Sequence, residues 1–155
     1  METAARGNAA EGAVLNAFVQ RGFGVLVPFG GGQPYDLVVE LGSALLRVQC
    51  KRAWPSGGCL LFNSRGTDHG NGRRSYRGLA DIFGVYFPQT DGVYLVPIEE
   101  VADSKGWLRV EPTRNNQKRG VRFAADFEID RWTIEALRGV AVQARATPEL
   151  ELGIA

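Results

Sequence analysis

The sequence predicts an α+β or α/β protein, a mixed β-sheet with helices packed against it. Three observations carry that reading. An amphipathic helical pattern opens the chain, short apolar runs divided by Gly-rich turns fill its middle, and a second helical pattern lies near its end. The 155 residues are 45% hydrophobic, enough for a real core, so residues 1–155 are expected to form a single domain. The 20 glycines fall mostly in turns and loops, which suits a strand-rich chain.

Residues 8–21 read as a helix, because Val14, Leu15, Phe18 and Val19 recur at helical spacing and Gly22 closes the pattern. Glu11 shares that face, one turn before Val14 and Leu15. A carboxylate at the edge of a core-facing stripe is costly unless it is paired or binds a cation. In the first helical turn it is also favoured by the helix dipole. Both readings of Glu11 stand at this point. Residues 24–29 then form a short strand, followed by the turn Gly30-Gly31-Gly32-Gln33. Residues 34–40 and 45–51 are two strands joined at Gly42-Ser43, a two-residue hairpin loop with Gly in its first central position. The second strand extends to Trp54-Pro55, and residues 59–63 are a further strand behind Ser56-Gly57-Gly58. Residues 64–77 read as a mobile Gly/Arg/Ser-rich loop. Strands at 82–87 and 93–97 flank the turn Gln89-Thr90-Asp91-Gly92. A short helix at 98–103, a strand at 108–110, a polar basic stretch at 113–122 and a helix at 129–138 complete the order. The tail, 139–155, shows no clear period and is expected to be loose or to lie at a subunit interface.

Several function classes are excluded on composition. The N-terminal Met1-Glu2-Thr3-Ala4-Ala5-Arg6 has no apolar leader core, and no apolar run reaches membrane-spanning length. Cys50 and Cys59 make no disulfide framework and are expected to be free thiols in a reducing cytosol. A single histidine rules out Cys/His metal spacing. The net charge of +1 hides blocks of charge. Arg65, Arg73, Arg74 and Arg77 face only Asp68 within residues 64–77, while residues 78–104 carry acids and no base. A second basic block spans 105–125. Such blocks form either a positive face or solvated loops.

The hairpin concentrates the chemistry. Counting outward from Gly42-Ser43 sets Leu41 against Ala44 and Asp36 directly against Gln49. Side chains alternate along a strand, so Asp36 and Glu40 share a face with Arg47, Gln49 and Lys51, while Leu37, Val39, Leu46, Val48 and Cys50 occupy the other. Asp36 offers anionic oxygens and Gln49 a neutral one, both suited to Mg²⁺. The Cys50 carbonyl can add another oxygen, and Lys51 can touch a phosphate oxygen or a bound water as a point charge. The competing reading is a solvent-facing set of alternating polar residues.

Pro34-Tyr35-Asp36, then Gln49-Cys50-Lys51, with the upstream helical Glu11, resembles the PD-(D/E)XK nuclease superfamily. The segments Val25 to Gly30, Tyr35 to Val39, Leu46 to Lys51, Arg73-Arg74-Ser75-Tyr76, Asp81-Ile82-Phe83, Val93 to Pro97 and Asn115-Asn116-Gln117 are similar, in order, to its small endonuclease branch that includes group I intron homing enzymes. The likeness covers roughly residues 7–130. It implies a restriction-endonuclease-like core, with a central mixed sheet flanked by helices. It also implies Asp36 as central metal ligand, Gln49 in a slot usually held by an acid, Lys51 as motif lysine, and Glu11 as the helical acid near the metal, with the Cys50 carbonyl beside them. The departures are the neutral Gln49 and the insertion of Tyr35 between Pro34 and the acid.

The activity implied is Mg²⁺-dependent cleavage of double-stranded DNA by a homing-type, sequence-specific homo-oligomer, a dimer or tetramer. It would act in the cytoplasm, at the nucleoid when bound to DNA, without a membrane partner. A structure-specific nuclease such as a Holliday junction resolvase, and a non-catalytic DNA-binding module, are the alternatives. Arg65, Arg73, Arg74, Tyr76 and Arg77 are expected to contact DNA, with Arg114, Asn116, Lys118 and Arg119 as a second surface. His69 reads as a DNA-contacting or solvent residue rather than a ligand.

Overall fold

The first helix, α1, spans Thr3–Gln20 and begins five residues before its apolar pattern does. Its opening turns are rich in alanine, which favours helix without marking a buried face. The computed structural model describes residues 2–68 and 72–146, the side chains of 67, 68, 72–74, 145 and 146 excepted. Helix α1 buries Ala10, Val14, Ala17 and Phe18, whereas Val19, expected in the stripe, is half exposed. The helix ends in a Schellman motif. Gly22, at φ 84°, donates to the Val19 carbonyl, Phe23 donates to that of Phe18, and the two rings meet edge-on at 5.7 Å.

Among the described residues ten strands follow in chain order: β1 (Val25–Leu26), β2 (Leu37–Glu40), β3 (Leu45–Arg52), β4 (Trp54–Ser56), β5 (Cys59–Asn63), β6 (Arg65–Asp68), β7 (Gly72–Ser75), β8 (Ile82–Phe87), β9 (Gly92–Pro97) and β10 (Lys105–Arg109). Helix α2, Ile134–Ala146, comes after short 3-10 turns. The main sheet has the order β1-β2-β3-β8-β9, antiparallel except for the parallel β3–β8 pair. A three-stranded sheet, β10-β5-β4, and the two-stranded ribbon β6–β7 lie in the crossover region and beyond it. The α+β expectation holds, and the sheet is mixed.

Leu37 pairs with Val48 and Glu40 with Leu45, so the register places Asp36 against Gln49 as counted from the turn. Gly42 carries φ 76°, as a hairpin glycine at that position should. Two hydrophobic clusters cover the sheet. Leu37, Leu46, Val48 and Cys50 pack with Val14 and Phe18 of α1 and with Leu137 and Ala141 of α2. Phe83, Val85 and Phe87 of β8 pack on the other side with Leu60, Phe62 and Leu108 of the smaller sheet. Strand β3 is therefore central, with its apolar face covered by the two helices. Its polar residues do not form a solvent face: Gln49 is only 9% exposed.

Three expectations are corrected. The strand expected at 24–29 stops at Leu26, because Pro28 has no N–H to continue a ladder. The stretch expected as a loop at 64–77 contains the β6–β7 ribbon, with Arg65 opposite Ser75 and Gly66 opposite Arg74. The helix expected at 129–138 is a 3-10 turn, Ile129–Arg131, and then α2, which Thr133 starts by accepting the Ala136 N–H at 3.1 Å. The patternless tail is thus helical to residue 146. Residues 147–155 and His69 lie outside the described residues.

Candidate active site

Asp36 sits just before β2, where the register brings it to the β3 backbone. Its Oδ2 accepts the Cys50 N–H at 2.8 Å, fixing the carboxylate beside residues 49 to 51. Burial raises the Asp36 pKa above its ordinary value, against the opposing pull of that N–H and of the Lys51 charge. Glu11 and Asp36 line one cleft of about 210 Å³, walled by Val27, Pro28, the three glycines 30–32 and Tyr35. The Glu11 pKa is also raised, by burial first and by the Asp36 charge second. The Cys50 thiol is pushed well up by burial and by both carboxylates. A negative field therefore gathers at this end of the sheet.

Lys51 lies next to it. Burial lowers its pKa to about 8, while Asp36 opposes the change. Its Nζ donates to the Tyr76 hydroxyl at 3.0 Å and to the Arg65 carbonyl at 3.4 Å. Gln49 Nε2 donates to the Cys50 carbonyl at 3.4 Å, so the neutral amide and the neutral carbonyl are immediate neighbours. Glu11 and Asp36 share the cleft, and the Cys50 N–H ties Asp36 to the strand that carries Gln49 and Lys51. Among the described residues no group of three His, Cys, Asp or Glu side chains could hold a metal ion. The donor set is instead two acids with neutral oxygens, which fits a hard cation that keeps several waters.

The profile of the PD-(D/E)XK endonuclease family matches residues 1–130. The chain belongs to that family. Its fold is similar to the solved structure of a bacterial homing endonuclease, I-Ssp6803I, with a TM-score of 0.72 and 26% identity over 92% of this chain and 99% of that one. No curated protein matches it. The core is restriction-endonuclease-like, and the protein is a nuclease by family.

The remaining residues expected in the endonuclease's site fall into distinct settings. Arg47, on the polar face of the hairpin, turns away from the cleft to Asp81. The buried Asp81 carboxylate accepts the Arg47 backbone N–H at 2.6 Å and its Nη2 at 2.8 Å, locking β3 to the start of β8. Arg77 spends its donors on Glu99, Asp103 and the Val101 carbonyl. Arg65 stands at the foot of the ribbon, and its buried Nε has no hydrogen-bond partner among the described residues. Arg73 and Arg74 lie on β7, and their side chains lie outside the described residues. Arg114, Asn116, Lys118 and Arg119 are exposed on a loop after β10, shaped by Arg109 binding the Gly57, Glu111 and Pro112 carbonyls.

Tyr76, expected as a DNA contact, accepts a hydrogen bond from Lys51 at its hydroxyl. No sequence signal marks that contact, which spans 25 residues. The glycine-rich wall of the cleft was more visible, since it directly precedes Asp36. Larger clefts of about 370 Å³ lie elsewhere. In one of them, beside α1 and the β8–β9 turn, Arg21 and Asp130 pair at 2.6 Å, and Asp91 and Glu128 also line the wall.

Proposed function

We propose that this endonuclease hydrolyses phosphodiester bonds of double-stranded DNA with Mg²⁺, at a specific sequence, in the manner of a homing enzyme. The observation that carries the reading is the Asp36–Cys50 N–H bond, which fixes the acid beside Gln49 and Lys51 while Glu11 faces it across the cleft. Asp36 and Glu11 would hold the cation, with the Gln49 amide and the Cys50 carbonyl as neutral oxygens. The Asp36 charge adds to the proton affinity of Glu11, a repulsion that a divalent cation would relieve. Bound there, Mg²⁺ supplies Lewis acidity and a water that ionises more readily.

The residues do the rest. Lys51 Nζ orients the attacking water and neutralises a phosphate oxygen, its proton held loosely by burial. Arg65, partly exposed at the foot of the ribbon, adds a guanidinium charge for a phosphate. The ribbon carrying Arg73 and Arg74, and the exposed basic loop at 114–119, supply phosphate and base-edge donors. One site cuts one strand, so a double-strand break calls for a dimer or tetramer. The work is placed in the cytoplasm, at the nucleoid. No described helix is long and apolar enough to cross a membrane.

The test is incubation with a diverse plasmid library in Mg²⁺, with a chelated control, and sequencing of the ends produced. Ends clustered at one sequence support the reading. Cutting confined to four-way junctions would replace it with a junction resolvase, and metal-independent or absent cutting with intact binding would reduce the protein to a DNA-binding module.

A further inference from the structure

The ammonium of Lys51 is not held by the hairpin that carries it. Both of its hydrogen-bond acceptors belong to the foot of the β6–β7 ribbon: the Arg65 carbonyl in the first residue of β6, and the hydroxyl of Tyr76, the residue after β7. Arg65 pairs with Ser75, so the two acceptors stand on adjacent strand ends. The Tyr76 ring is itself fixed, edge-on to Phe83 at 5.7 Å, and Phe83 is edge-on to Phe62 at 5.5 Å in the core. Gly66 leaves room for the hydroxyl, since a Cβ there would stand 2.6 Å from it.

We propose that Tyr76 is a positioning residue for Lys51, and that the foot of the ribbon sets where the lysine stands at the scissile phosphate. The proposal rests on the nuclease reading above and extends it. A lysine carries three donors on a flexible stem. Two acceptors from the ribbon fix its direction and leave one N–H for the water or the phosphate. Fixing the stem in the free protein removes an ordering cost from the reaction step. Because the same ribbon carries Arg73 and Arg74, a DNA duplex that displaces the ribbon also displaces the acceptors of Lys51. Recognition and chemistry are thereby joined at two atoms.

The hydroxyl can be isolated from the ring. Tyr76→Phe keeps the edge-on packing and the ring face 4.6 Å from Nζ, and removes only the acceptor. Gly66→Ala keeps the hydroxyl and pushes it off its place. Single-turnover cleavage at saturating DNA and Mg²⁺ is measured for both, with DNA affinity and melting temperature. Each variant should lose about tenfold or more in rate, with affinity within about twofold and a melting temperature still well above that of the assay, a split that lost stability would not produce. If Tyr76→Phe is too unstable to assay, Gly66→Ala decides. Wild-type rate in the assayed variant, or a rate loss matched by lost affinity, overturns the proposal. A wild-type protein that cuts and a dead Lys51→Ala, beside an unimpaired Tyr76→Phe, defeat this inference alone. A wild-type protein that does not cut defeats the nuclease reading and this inference with it.

Discussion

Glu11 and Asp36 are both held where the charged form is disfavoured, which is a cost to the fold and a resource for the site. The sign follows from proton counting. A carboxyl whose pKa is raised on folding keeps its proton in the native state after the unfolded chain has lost it. Stability then falls as pH rises through that window, which for Glu11 begins at its ordinary value of 4.5. At neutral pH the whole cost is present. Glu11 is largely solvated, so the cost is on the scale of an exposed charge contact, about 0.5 kcal/mol. Glu11→Gln should therefore raise the metal-free melting temperature at pH 7 by about 1–2 °C. The gain should vanish below about pH 4, and Mg²⁺ should stabilise the variant less than the wild type. Thermal melts across pH, with and without Mg²⁺, check this. The Asp36–Gln49 pairing was legible because a two-residue turn and a period of two leave one register. The Arg47–Asp81 bond was not, because its partners are 34 residues apart and joined by a parallel pairing that no local pattern announces.

At the scale of elements, the site depends on how closely α1 can approach the sheet. Gly84, on the α1 side of β8, makes the room, since a Cβ there would stand 2.6 Å from Val14 Cγ1 and 3.1 Å from Val48 Cγ1. Valine has little rotamer freedom with which to yield. Gly84→Ala should therefore lift the helix and cost about 1–3 kcal/mol. Because α1 also carries Glu11, the same variant should need more Mg²⁺ for half-maximal binding. Denaturant melts and a metal titration read the two effects; a stability loss with an unchanged titration would place Glu11 outside the cation's ligands. Most strands could be read from β-branched runs between turns, and residues 59–63 and 82–87 match the structure to the residue. The ribbon could not, because Gly, Arg and Ser show no apolar alternation. The start of α2 carried a readable signal in Thr133, a capping residue set before Ile134-Glu135.

For the molecule as a whole, the decisive feature is that strand β3 runs through the centre of the sheet with hydrophobic clusters on both faces. Gln49 and Lys51 lie within that strand and Asp36 is bonded to its backbone, and buried charge is costly unless it is used or paired. The sequence alone left the solvent-face reading open, because the parallel pairing that sets β8 beside β3, and the smaller sheet packed on β8, have no local mark. The central claim is that Asp36 and Lys51 act on the phosphodiester and not on DNA recognition. Cleavage and duplex binding by wild type, Asp36→Asn and Lys51→Ala, assayed side by side in Mg²⁺ on DNA bearing the cut site, test it most directly. The account predicts that both variants lose cleavage while their DNA affinity stays within about tenfold, roughly 1.4 kcal/mol, of the wild type. Near wild-type cleavage by either variant would contradict it.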